Sequence, residues 1–497
     1  MARRGDLQDV ELVEDDGGPA PDAPRSLGLT LGRSLPRRWL AAGAVVVAAA
    51  VGVSQWVATT REDAAVARLS QVPGVLAPVD DVLEVGRPVT DAEAEPLPTS
   101  GGATTLGADG SLAYRWVGHP GDAGWSTPLL PADARLAGAA HVRSASDCRT
   151  DVAVAADPAS ATRVVCLVAD GGVLFTGDGE VERVPTTAVS VVVLSVADGS
   201  VETRWPVPDG EALAVMPGGL VAVGALRDRT AVVTGYDLLT GTERWTYEQD
   251  GTQLTGGDGF GGPTVSLVRA GDLLALVPPG RSTVLLSTSG ERVRGGLVDP
   301  EASAWGVAPD ARTGRLVVSS DTVGGSSRST FVAPDGDEDD DLVLDGHPLH
   351  VVLDDRSVPG TALTADDESV HAAGVGSRGG RWSVHVDRPG FALVVRGRVI
   401  VASAHGVTAV DGRSGNVLWR SADQDGLAPG NLMTDGRHVL VAYERTGSDA
   451  HAAVVAYDPA SGQEAFRAAY PDGVEDVNPV GRHLVGTDAD GQQVLLD

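Results

Sequence analysis

The densest group of possible ligands in this sequence is DGDEDDD, from Asp335 to Asp341. Clustered carboxylates suit Ca²⁺, which takes six or more arranged oxygens. The run lacks the alternating acidic spacing and the later Glu of an EF-hand loop, so it reads first as a solvated loop, with Ca²⁺ as the lesser alternative. His347 and His350 form the one close pair among ten His. Neither has a Cys or carboxylate at a useful helical spacing, which argues against zinc. GDGFGG, from Gly257 to Gly262, matches G-x-G-x-x-G. Pro263 and a strand-like run follow it, whereas a dinucleotide fingerprint opens a helix, so it reads as an inter-strand loop. No nucleophile elbow, metalloprotease helix motif or P-loop is present. The expectation is therefore no catalytic residue and no metal site, with cofactor-binding residues unassigned.

The elements that would hold these residues repeat along the chain. VTAVDGRSGNVLW, from Val407 to Trp419, alternates as a strand, turns at Asp411 to Gly415, and returns to a large flat side chain. Ungapped copies end at Trp116, Trp205, Trp245, Trp382 and Phe466. A weaker copy has Arg294 in place of the Trp. Consecutive copies end roughly 37 to 49 residues apart, a spacing typical of propeller blades. One such hairpin is marginal in water, so blades must pack their apolar faces together. Trp116, Trp205, Trp245, Trp382, Trp419 and Phe466 are the expected repeat-packing residues. Short apolar strands precede the hairpins, such as GGLVAVGA from Gly218, and helical periodicity is nearly absent beyond residue 70. The chain reads as all-β.

The pattern D-x-x-[ST]-G-x-x-x-W resembles the repeat of PQQ-like, quinoprotein-type β-propellers. It is carried by Asp237, Thr240, Gly241 and Trp245; by Asp411, Ser414, Gly415 and Trp419; and by Asp458, Ser461, Gly462 and Phe466. The resemblance runs from about residue 104 to 497 and implies a propeller of eight blades, with seven as the alternative. The last copy stops at Asp497, so a strand from the N-terminal side is expected to close it. The segment from Ser111 to Trp116 is the first choice, and that from Asp81 to Val89 the alternative. The resemblance is silent on function, because the repeat serves dehydrogenases and assembly scaffolds alike. Quinone enzymes of this kind need PQQ, Ca²⁺ and typically adjacent cysteines; this chain has no adjacent Cys pair and no transferable ligand set, so no cofactor is expected.

Ahead of the repeats, residues 1–38 are polar and read as a disordered cytoplasmic tail. From Trp39 to Ala58 the chain carries no charge over twenty residues, enough to cross a bilayer as a helix. Arg33, Arg37 and Arg38 precede it, so the positive-inside rule places the tail in the cytoplasm and the propeller outside. A cleaved signal peptide is the alternative, disfavoured by the long apolar run that starts far from Met1. Residues 59–103 read as a stem. Cys148 and Cys166, the two Cys of the chain, lie either side of a hairpin turn near Asp157, and outside the cytoplasm they are expected to form a structural disulfide. The net charge of −30 excludes nucleic acid as a partner. The functional expectation is a single-pass cell-membrane protein whose propeller binds an envelope protein or peptide without catalysis. A PQQ-dependent oxidoreductase and an extracytoplasmic sensor are the alternatives.

Overall fold

Along most of the chain the apolar residues come in short runs closed by Gly and Asp, and each run folds as one strand of a small antiparallel sheet. The computed structural model describes residues 60, 62–89, 101–116, 124–137, 141–144, 146–152, 160–175, 181–249, 265–278, 283–298, 302–322, 324–375, 380–421, 424, 426–445 and 451–496. The 1–38 tail, the run from Trp39 to Ala58 and the loop from Gly257 to Gly262 lie outside the described residues. Among the described residues no helix is long and apolar enough to cross a membrane. Residues 64–69 are helical, and nearly all other regular structure is strand.

Among the described residues nine sheets follow one another in chain order. The first, 102–130, has three strands. Eight with four strands or more follow, beginning at 147, 212, 266, 302, 347, 389, 427 and 474. The 212–249 sheet shows why each forms. Its first strand, Ala212–Met216, is buried along its whole length, and its last, Glu243–Gln249, alternates between exposed and partly buried. First strands of neighbouring sheets touch: Asp147–Thr150 meets Ala212–Met216, which meets Ser266–Ala270. The sheets therefore extend outward from a shared line of first strands and, the last sheet apart, each last strand is an edge. Separate apolar clusters fill the seams. Leu167, Val193, Trp205 and Val223 fill one; Val233, Leu267, Leu276 and Leu286 fill the next.

Two departures from simple succession matter. His347–Pro348 opens the 347–385 sheet, and the chain then runs on as His350–Asp354, pairing in parallel with Pro389–Val395 of the next sheet. One continuous stretch thus edges two sheets. The second departure is an outgrowth of the 147–207 sheet, where His141–Ser144, Gly172–Phe175 and Val181–Val184 make a separate three-stranded sheet.

Closure differs from the first expectation. Ser111 to Trp116 does not complete the last sheet. Leu112–Trp116 pairs within the 102–130 sheet, because Leu112, Tyr114 and Trp116 alternate onto a face buried against Val164, Cys166 and Val192. The strand beside Gln493–Leu496 is Val85–Pro88, within the alternative segment from Asp81 to Val89. The segment read as a stem is thus partly built into the sheets.

Candidate functional site

At the turn of the repeat, Asp411 Oδ1 accepts from the Ser414 amide and hydroxyl, both at 2.8 Å. Asp458 does the same with Ser461 at 2.7 and 2.8 Å, and Asp237 with Thr240 at 3.1 and 2.9 Å. Backbone and side-chain bonds from Ser414 hold the Asp411 carboxyl below its ordinary pKa. Arg244, then Thr240, lowers Asp237 to about 2. The following Gly415 has φ 74°, a conformation that a side chain would strain. A Cβ there would also strike Trp382.

That contact explains the tryptophans. Trp382 Nε1 donates to the Gly412 carbonyl in the turn of the next sheet, at 3.2 Å. Trp419 donates to Pro459 O at 3.0 Å, Trp205 to Leu238 O at 3.2 Å and Trp245 to Thr288 O at 3.0 Å. In the three D-x-x-[ST]-G copies among them the acceptor is the residue after the turn Asp. Each indole therefore locks its sheet to the next turn and buries its ring under that turn's glycine. Phe466 has no N–H; it packs in the seam to the last sheet, edge-on to His438 at 5.4 Å. Arg294 reaches the same place with a guanidinium, donating to Gly336 O at 3.4 Å and Asp341 Oδ2 at 2.8 Å.

Sequence reasoning missed one member. The indole that bonds the turn of the 147–207 sheet is that of Trp125, which donates to Val196 O at 2.8 Å. Trp116 is buried in the same seam and stacks on Trp125, centroids 6.1 Å apart and planes within 12°. Both rings pack, but Trp125 sits on the outer strand Trp125–Leu130 and takes the locking position. A Cβ at Gly199 would strike the Trp125 ring, a contact that appears only once the strands are in place.

The ligand-like residues of the sequence are employed in folding. Asp341 is 6% exposed, paired with Arg294, and accepts the Ala333 amide at 2.8 Å. Asp335 accepts the amide of Asp337, and Asp337 caps the 3₁₀ turn Glu338–Asp340. A cleft of about 620 Å³ opens beside this loop, lined by Arg315, Asp335, Asp339, Asp340 and Val375. His347 pairs with Asp321 of the neighbouring sheet at 2.8 Å, and His350 is exposed on the following strand. Among the described residues no group of three His, Cys, Asp or Glu is placed to hold a metal ion. Cys148 and Cys166 are disulfide-bonded, directly opposite on adjacent strands with Cα atoms 4.0 Å apart.

Residues 360–473 and 403–497 match a family model described as outer membrane protein assembly factor BamB. Residues 360–497 are PQQ-like propeller repeats. The PQQ-like region holds two of the three copies of the turn, those at Asp411 and Asp458. No curated protein matches the chain. Among solved structures, BamB from Moraxella catarrhalis is 16% identical, with 62% of this chain and 88% of that one covered and a TM-score of 0.30. The dihydro-heme d1 dehydrogenase NirN, in complex with DHE, is 16% identical, with 62% and 71% covered and a TM-score of 0.30. A eukaryotic initiation factor is 10% identical, with 80% and 90% covered and a TM-score of 0.38. TM-scores this low carry neither fold detail nor function to the present chain.

Proposed function

We propose that this chain is a non-enzymatic interaction scaffold of the cell envelope, a β-propeller that binds a protein or peptide partner. The observation that carries the reading is the match of the PQQ-like region to a model described as an outer membrane assembly factor. The employment of Asp237, Asp411, Asp458 and Asp341 in turns and ion pairs supports it. In this reading the run from Trp39 to Ala58 anchors the protein as one helix, the propeller has eight blades and faces outward, and the rim loops and edge strands meet the partner. The net charge of −30 favours a partner surface with basic groups.

Purified full-length chain incubated with PQQ and Ca²⁺ tests the catalytic part. The scaffold reading expects no quinone absorbance shift and no dye-linked alcohol oxidation; stoichiometric binding with turnover would overturn it. Protease added to intact cells tests topology. Degradation of residues 100–497 with survival of the N-terminal tail is expected, and full protection of the propeller refutes the outward placement.

A further inference from the structure

Among the described residues, the apolar clusters and backbone bonds that hold the segment between the helical residues 64–69 and Val89 lie late in the chain. Leu69 and Val75, 6% and 0% exposed, enter the apolar cluster of Leu353, Leu393, Val441 and Tyr457. Leu76 and Leu83, 1% and 8% exposed, enter the next cluster, with Leu440, Val454, Val477 and Leu496. The segment thus fills two consecutive seams, between the 389–420, 427–469 and 474–496 sheets. Its backbone is tied at three places: Leu76 N to Thr434 O at 2.9 Å, Ala77 N to Arg482 O at 2.8 Å, and Val89 N to Gln493 O at 2.9 Å. The strand Val85–Pro88 pairs with Gln493–Leu496 across an irregular register, Val85 with Leu496 and Pro88 with Val494. Val82 and Val85 remain 61% and 50% exposed. The earlier seams have apolar clusters of their own that contain no residue of this segment.

We propose that residues 64–89 form a releasable clasp, a cooperative unit that seals the last two seams and opens without unfolding the earlier sheets. Its stability rests on four buried leucine and valine side chains and a few backbone bonds, whereas each sheet between residues 147 and 345 has an apolar cluster on both faces. Segments with few contacts open at lower free energy than the core, and they open together when they share an interface. Opening leaves Gln493–Leu496 as a bare edge and uncovers the Leu353 and Leu440 clusters. An exposed edge and an apolar seam are a template for another strand, so the clasp also controls access to this end of the molecule.

Native-state hydrogen exchange on the full chain tests this. In the wild type, amides of residues 76, 77 and 89 and of 484–496 should share one opening, faster than that of residues 191–194 and 221–226. Leu76→Ala should raise exchange in the first group by about thirtyfold or more, from loss of a fully buried side chain. It should leave the second group unchanged. Two results would overturn the clasp. One is an equal rise in both groups, which means that the segment opens only with global unfolding. The other is a rise at 76 and 77 without one at 494–496, which means that the strand is not coupled to the seam. If Leu76→Ala fails to fold, the wild-type grouping at low denaturant decides the same question.

Discussion

Two charged side chains illustrate how position decides the value of a group. Asp170 stands at the base of the three-stranded outgrowth. Burial works to raise its pKa, but bonds from the Thr187 hydroxyl, the Ala188 and Thr187 amides and Arg135 outweigh this and bring it to about 2. A folded pKa below the unfolded value stabilises the fold above the unfolded pKa, and the gain is lost as pH falls through the folded one. Asp170→Asn should therefore lower stability by about 1–2 kcal/mol at pH 7, with the difference from wild type shrinking between about pH 4 and pH 2. Urea titrations at pH 7 and pH 2.5 check this. Arg312 is 8% exposed on its side chain, paired with Asp354, and donates to Thr361 O at 3.1 Å and Val358 O at 3.0 Å. It ties the turn before Leu316–Thr322 to the stretch after His350–Asp354. Arg312→Met should cost about 3–5 kcal/mol, because it strands a carboxylate that burial already pushes up in pKa. Arg312→Met with Asp354→Leu should recover part of that loss, as read from denaturant midpoints.

At the scale of elements, the repeating joint is the outer-strand indole set into the next turn. Trp125→Phe removes one N–H···O bond and should cost about 1 kcal/mol. Trp125→Ala removes the ring as well and should cost about 3–5 kcal/mol. Among the described residues Trp116 makes no bond to a turn of the next sheet, so the effect of Trp116→Phe should be smaller than that of Trp125→Phe. The reverse order, measured by chemical denaturation, would show that Trp116 holds the joint. The Arg294 joint works by ion pairing in place of ring burial, which is why the copy with no Trp still seats its neighbour. The Asp-x-x-Ser/Thr-Gly turn was legible because its bonds span only four residues. That Trp125 takes the locking position beside the packed Trp116 was not, because Trp116 ends a strand as the repeat does while Trp125 opens the next one, and strand order alone places Trp125 outermost.

For the whole molecule, the charge of −30 with a pI near 4.6 makes self-repulsion a standing cost of the compact state. Raising NaCl from about 10 to 150 mM shortens the Debye length from roughly 30 to 8 Å. The thermal midpoint should rise over that interval and level off above it. A flat response would mean that local pairs, such as Arg163 with Glu202 and Arg227 with Asp209, already neutralise the surface.

The sequence by itself determined the strands, the repeat, the turn chemistry and the opposition of Cys148 to Cys166, because each follows from alternation or from bonds between near neighbours. Which strand closes the last sheet, which indole bonds the turn of the 147–207 sheet and where Asp341 finds its partner were decided only in the tertiary structure. Those choices lie between segments that satisfy the same local rules. Val85–Pro88 is chosen over Leu112–Trp116 because the latter's apolar face is already buried against Cys166 and Val192, leaving the former to follow the buried Leu76 and Leu83 to the open edge.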